Sequence, residues 1–270
     1  MIQNLRHISA LFLLGLLVHS CADYNKVIKG DDYKRKFELA DELFTSNQYD
    51  RCIVLYEQIY QRMPKTGEGE LAYFRIGKSY YESGDFYMAG YYLGAFTQRF
   101  PYSVKAQEAL FLSAMCSVNN SPEASLDQND TELAINNLQQ FIDTYPQSSL
   151  VDSCNKIMDR LHLKLEKKDF DAVRLYSKTE NYRAAVTSAS SFMQDYPRSK
   201  NRQEVMFILV KNAYYLALNS VDEKKKERIE EAMERYRTFV AEFPESTHDA
   251  EVDGYYDALV KELEKLNTRK

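Results

Sequence analysis

A cysteine placed directly behind an apolar run carries the most definite chemistry in this chain. Ile8 to Val18 is an apolar run of 11 residues, preceded by Arg6 with no acid before it, and followed by His19, Ser20 and Cys21. The run is too short to span a bilayer as a mature helix and suits the core of a signal segment. A plain secretory signal would end in an A-x-A-like site. A small residue followed by cysteine instead fits a thiol that takes a diacylglycerol as a thioether, with cleavage leaving Cys21 first. His19 is atypical in that pattern, and an ordinary signal or short anchor would leave the cysteine incidental. Residues 1–20 are therefore expected to be a lipoprotein signal peptide and residues 21–32 a lipid-anchored tether.

Beyond Cys21 the sequence offers little reactive chemistry. Past residue 20 only His162 and His248 remain, and neither stands near a cysteine at metal-ligand spacing. There is no G-x-S-x-G, no phosphate-cradling glycine loop and no G-x-G-x-x-G. The acids fall beside lysines on helical patterns and read as solvated faces. No catalytic residue, cofactor or metal ligand is assigned, and the chain is expected not to be an enzyme. The formal net charge is −5, without the basic excess a nucleic-acid binder would show. Cys52, Cys116 and Cys154 form an odd set without paired spacing, so buried small side chains are expected in place of a disulfide framework.

The elements that carry these residues are legible in a repeated phrase. FTQRFPYSV, FIDTYPQSS, FMQDYPRSK and FVAEFPEST begin at Phe96, Phe141, Phe192 and Phe239. Counting back from Pro64, Pro101, Pro146, Pro197 and Pro244, an apolar residue stands five positions earlier (Ile59, Phe96, Phe141, Phe192, Phe239). A small one stands twelve positions earlier (Cys52, Ala89, Ala134, Ala185, Ala232). With a third apolar-lined position between them, this is one helical face, and the proline stops the helix because its predecessor is pushed out of the α region. Ser103, Ser148 or Ser149, Ser199 and Ser246 are the expected N-caps of the helices that follow. Tyr73, Ile76, Gly77 and Tyr80 form the facing stripe of the clearest hairpin, with Ser83-Gly84-Asp85 as its turn.

With only 9 glycines and 6 prolines, long helices are favoured over many strands. The pattern resembles the tetratricopeptide repeat, with its L-G-x-x-Y, G-x-Y-x-x-A and terminal proline in register. The fold is expected to be an all-α, tetratricopeptide-like solenoid of about five helix pairs plus a C-terminal capping helix over Ala250 to Leu266. Extra residues fall in polar loops at Asn119–Asp130 and Asn219–Arg228, and a long helix runs from about Leu150 to Tyr176. Residues 33–147 would form N-terminal repeats and 148–270 C-terminal ones. Phe37, Phe74 and Phe111 recur every 37 residues, and Phe44, Tyr81 and Val118 follow each by seven. On the inner helices such a row suits a concave groove for an extended peptide. The same row also suits packing between successive inner helices.

Signal, proline-terminated helix pairs and the passage FDAVRLYSKTENYRAAVTSASSFMQDYP make the chain similar to the BamD family of lipoproteins, subunits of the β-barrel assembly machinery. The resemblance covers nearly the whole chain. It implies an outer-membrane location, lipid-anchored at the periplasmic face. It also implies N-terminal repeats that engage unfolded outer-membrane β-barrel proteins, and C-terminal repeats that contact an Omp85-type barrel subunit. The alternative is another periplasmic repeat lipoprotein serving cell-envelope maintenance or nutrient uptake as an interaction scaffold.

Overall fold

The computed structural model describes residues 24–268. A short helical segment covers 24–29. Then come α1 (Tyr33–Thr45), α2 (Tyr49–Arg62), α3 (Gly67–Ser83), α4 (Phe86–Arg99), α5 (Ala106–Asn120) and α6 (Asn129–Thr144). They are followed by α7 (Val151–Lys178), α8 (Tyr182–Asp195), α9 (Arg202–Leu218), α10 (Asp222–Glu242) and α11 (Asp249–Thr268). Among the described residues these make five hairpins and a closing helix, with no strand. The fold is an all-α array of tetratricopeptide type. The loop expected at Asn219–Arg228 is shorter than its polarity suggested, because α10 already begins at Asp222 with Asp222 and Glu223 in its first turn, where acids favour a helix start.

The chain divides into two compact units. Unit 1 holds residues 24–123 and 127–158, and unit 2 holds 124–126 and 159–268. The division lies inside α7, not at the 147/148 boundary expected from the proline register. The Leu126 carbonyl accepts from Lys168 Nζ at 2.6 Å, which places 124–126 with unit 2.

Each proline acts where its chemistry requires. The residue before it leaves the helix: Phe100 has φ −129° and ψ 58°, Tyr196 has φ −123° and ψ 62°. The serine two places later does something the sequence did not disclose. It is not the N-cap of the next helix; Lys105 is that residue for α5 and Asn201 for α9, neither with a side-chain cap. Its hydroxyl instead accepts from the backbone N–H two residues on, at 3.0 Å for Ser103, 3.3 Å for Ser148, 2.9 Å for Ser199 and 3.1 Å for Ser246. The same hydroxyl reaches back to the first helix of the preceding hairpin, to its first turn in three cases and to the middle of α7 in the case of Ser199. Ser103 donates to Glu70 and Ser199 to Glu166, while Ser148 accepts from Gln107 and Ser246 from Gln203. A hydroxyl suits all four because it can donate to a carboxylate and accept from an amide. Ser199→Ala is expected to cost unit 2 about 1–2 kcal/mol, since the bond is part-buried and its acceptor charged. The check is the urea midpoint at unchanged slope.

The cores follow the predicted stripes. Ile59, Phe96, Phe141 and Phe239 are fully buried, as are Cys52, Ala89, Ala134 and Ala185. All three described cysteines are free and buried. The Cys116 thiol is pushed up to about 12 by burial.

Candidate functional site

The aromatic row expected to line a groove is mostly occupied with its own hairpins. Phe37 meets Tyr56 edge-on at 6.0 Å, Phe74 meets Phe96 at 5.5 Å and Phe111 meets Phe141 at 5.4 Å. Phe170 repeats the contact on Phe192 at 6.1 Å in unit 2. In each case a ring on the inner helix rests on a ring of its outer partner. The second row locks the turns: Phe44 packs on Tyr49 at 5.6 Å and Tyr81 on Phe86 at 5.5 Å, each five residues on. Phe74 is 1% exposed and presents nothing to solvent. Phe37, Tyr81 and Phe111 are half-buried. The 37-residue recurrence reflects ring packing of inner on outer helix within each hairpin, in place of either the groove or the packing between successive inner helices that the sequence left open.

Phe44 is the exception, because it also belongs to a cleft of about 440 Å³ in unit 1. The cleft is lined by Asp41, Phe44 and Thr45 of α1, Asn47 and Tyr49 at the turn, and Arg75 and Glu82 of α3. The Arg75 guanidinium lies 4.8 Å above the Phe44 ring, a cation–π arrangement. Its Nε is 3.9 Å from Asp41 Oδ1, and it is a buried nitrogen with no hydrogen-bond partner. Asp41 Oδ1 accepts from the Tyr56 hydroxyl at 2.5 Å. Burial first, then that hydrogen bond and the Asp41 charge, hold the Tyr56 phenol far above its usual range. Phe37, Tyr56, Asp41, Arg75 and Phe44 thus form one connected set. Asn47 sits at φ +59° and its side-chain oxygen accepts from the Tyr49 hydroxyl at 2.7 Å. Asparagine tolerates this left-handed backbone better than most residues.

Two acids and one cation line the cleft, so a free carboxylate is not its natural guest. The Arg75 guanidinium set against the Phe44 ring suits an aromatic side chain of an extended segment. Sequence reasoning found Phe44 and missed Asp41 and Arg75. No local pattern links the two, because an acid and a base on different helices are not a repeat of one residue type.

Unit 2 carries a larger cleft of about 510 Å³ between α8, α9 and α10, floored by Met193, Met206 and Leu209. Its cations are already engaged. Arg202 Nη2 donates to Glu242 at 3.0 Å, Arg202 Nε donates to the same carboxylate, and Arg235 pairs with Glu231 at 3.3 Å. What remains free is a thioether-rich apolar floor, adaptable in shape. Cys21 lies outside the described residues. Among the described residues no helix is long and apolar enough to cross a membrane, and no cluster of three or more metal-ligating side chains occurs.

The model of the YfiO family, described as outer membrane lipoprotein, matches residues 31–229 and again 165–266. The outer membrane protein assembly factor BamD of Caulobacter vibrioides is 21% identical over 180 residues, covering 67% of this chain and 59% of that protein. The BamD of Neisseria meningitidis serogroup B is 24% identical over 213 residues, covering 73% of this chain and 79% of that one. This chain therefore spans less than two thirds of the Caulobacter relative. Among solved structures, the TPR2AB domain of yeast Sti1 in complex with pHSP90 is 12% identical with a TM-score of 0.42, covering 84% of this chain and 98% of that one. The thermophilic TPR protein TTC0263 of Thermus thermophilus is 15% identical with a TM-score of 0.32, at the same coverages.

Proposed function

The chain belongs to the YfiO family of outer membrane lipoproteins, and on that premise we propose that it is a non-catalytic scaffold of outer-membrane β-barrel assembly. Cys21 carries the lipid that holds it at the periplasmic face. Unit 1 receives an extended segment of an unfolded barrel protein at the Phe44–Arg75 cleft, and unit 2 docks an Omp85-type barrel subunit over its methionine-floored cleft. The observation that carries the reading is family membership over most of the chain, joined to a cleft that sets a guanidinium against an aromatic ring. Several weak contacts suffice, because tethering raises the effective concentration of everything else confined to the same membrane.

The primary test is recovery of the tagged protein in mild detergent followed by mass spectrometry. An Omp85-type barrel is expected as the major stoichiometric partner. A different stable partner in its absence overturns the assembly role and favours another envelope scaffold. The cleft has its own test. Phe44→Ala is expected to weaken binding of a synthetic ten-residue peptide with alternating aromatics by about tenfold, or about 1.4 kcal/mol, with helicity retained. Unchanged affinity with intact helicity removes the cleft from the reading.

A further inference from the structure

Residues 24–29 belong to the tether expected over 21–32, yet they are folded. Val27 and Ile28 pack against the first core cluster of unit 1, whose buried members include Leu39, Ile53 and Leu55. The segment is fastened at both ends. At its start the Tyr24 hydroxyl donates to the Arg51 carbonyl at 3.3 Å, and the Arg51 guanidinium lies 4.2 Å over the Tyr24 ring. At its end stands Lys36 of α1, a lysine only 3% exposed. Its Nζ donates to the Ile28 carbonyl at 3.1 Å and to Gln58 Oε1 at 2.5 Å, and lies 5.0 Å from the Tyr33 ring centroid. Both acceptors are neutral. Keeping an ammonium out of water on such partners carries a solvation cost, and only bonds that the geometry secures offset it. The carbonyl of Ile28 is one that a short helical turn leaves without an internal partner, so the cation completes the end of the segment.

We propose that Lys36 is a clasp that makes residues 24–29 the N-terminal cap of the array, and thereby holds the start of unit 1 against the bilayer surface. The proposal rests on the reading of Cys21 as the lipid acceptor. Only Ala22 and Asp23 separate Cys21 from Tyr24. Three residue steps reach at most about 11 Å, whereas the twelve steps to Tyr33 would reach about 40 Å if 24–29 were free. The anchor is then a short mooring, and the occupant of the face around Tyr24 and Arg51 is the phospholipid headgroup layer.

The test uses the full-length, lipid-modified protein in vesicles of phosphatidylethanolamine and phosphatidylglycerol. A donor dye is placed on a cysteine introduced at Val54, which is 37% exposed and three residues from Arg51 on α2. An acceptor is carried on the lipid headgroups. The native cysteines are buried and spared by the label. Lys36→Met keeps the aliphatic stem and removes the ammonium. Energy transfer is expected to fall in Lys36→Met, and amide protection over 24–29 to fall about tenfold or more, as loss of charge-assisted bonds requires. Equal transfer and equal protection in both proteins overturn the clasp. Should Lys36→Met lose helicity, Tyr24→Ala frees the other end of the segment from a half-buried position and carries the same two readouts. An intact mass without acyl groups on Cys21 overturns the lipid reading and the mooring with it, and amide protection still decides the clasp.

Discussion

Alanine in place of Phe96 lowers the stability of unit 1 by about 3–5 kcal/mol, the range for deleting a buried phenylalanine side chain. Phe96 is fully buried, and its ring meets Phe74 at 5.5 Å and Phe100 at 5.1 Å. Both apolar burial and ring pairing are lost, the latter contributing about 0.5–1.5 kcal/mol per pair. Against a typical domain stability of about 5–15 kcal/mol this is a large fraction. In an array each hairpin leans only on its neighbours, so the damage stays local. Amides of α3, α4 and α5 should exchange faster than those of α1, and the urea midpoint should drop. Phe111→Ala, at a half-buried ring, should cost clearly less. A loss below about 1 kcal/mol for Phe96→Ala would mean that the ring contacts do not hold the hairpins together.

Gly69→Ala is the second large effect, and its sign is the informative part. Residue 69 lies in the first turn of α3, and helix propensity alone favours alanine over glycine by about 1 kcal/mol. A Cβ built there falls 1.8 Å from the Met63 carbonyl oxygen and 2.7 Å from the Met63 carbonyl carbon. Backbone, not a yielding side chain, occupies the space. The turn between α2 and α3 must move, and a net destabilisation of about 3 kcal/mol is expected, at the upper end for overpacking. The same substitution at Gly254 of α11 meets nothing within 4 Å and should stabilise unit 2 by about 0.5–1 kcal/mol. Thermal midpoints of the two variants should move in opposite directions; a shift of the same sign in both would refute the steric account.

Five hairpins and a closing helix could be read from the sequence because a buried face repeats its residue types wherever the same packing recurs. Alanine or cysteine twelve before Pro64, Pro101, Pro146, Pro197 and Pro244, and an apolar residue five before each, survive every change of loop length. Three things did not come through. The Pro-x-Ser serines looked like caps, since Ser is among the side chains favoured at a helix start. Their partners are residues 33 to 43 positions away, as in Ser103 with Glu70 and Ser246 with Gln203, and no local rule reports such a bond. The aromatic row was visible, but spacing cannot say which way a ring turns. Phe74 and Phe111 turn to their outer helices, while Phe44 keeps a side toward a cleft. Residues 24–29 read as tether because six residues show little periodicity, and their fastening depends on Lys36, a side chain that composition places on the surface.

The buried thiols have a use for anyone following this molecule coming apart. Cys52 Sγ lies 3.3 Å from Ser79 Oγ, bridging α2 and α3. Cys116 sits on α5 with its Cβ 3.4 Å from where a side chain on Gly90 of α4 would begin, and Cys154 is fully buried on α7. Burial raises all three above the ordinary thiol range, so alkylating reagents meet them only when the adjoining helices part. Each is a stopwatch for a different seam. Timed alkylation followed by peptide mapping, with no engineered probe, would give the order in which those seams open.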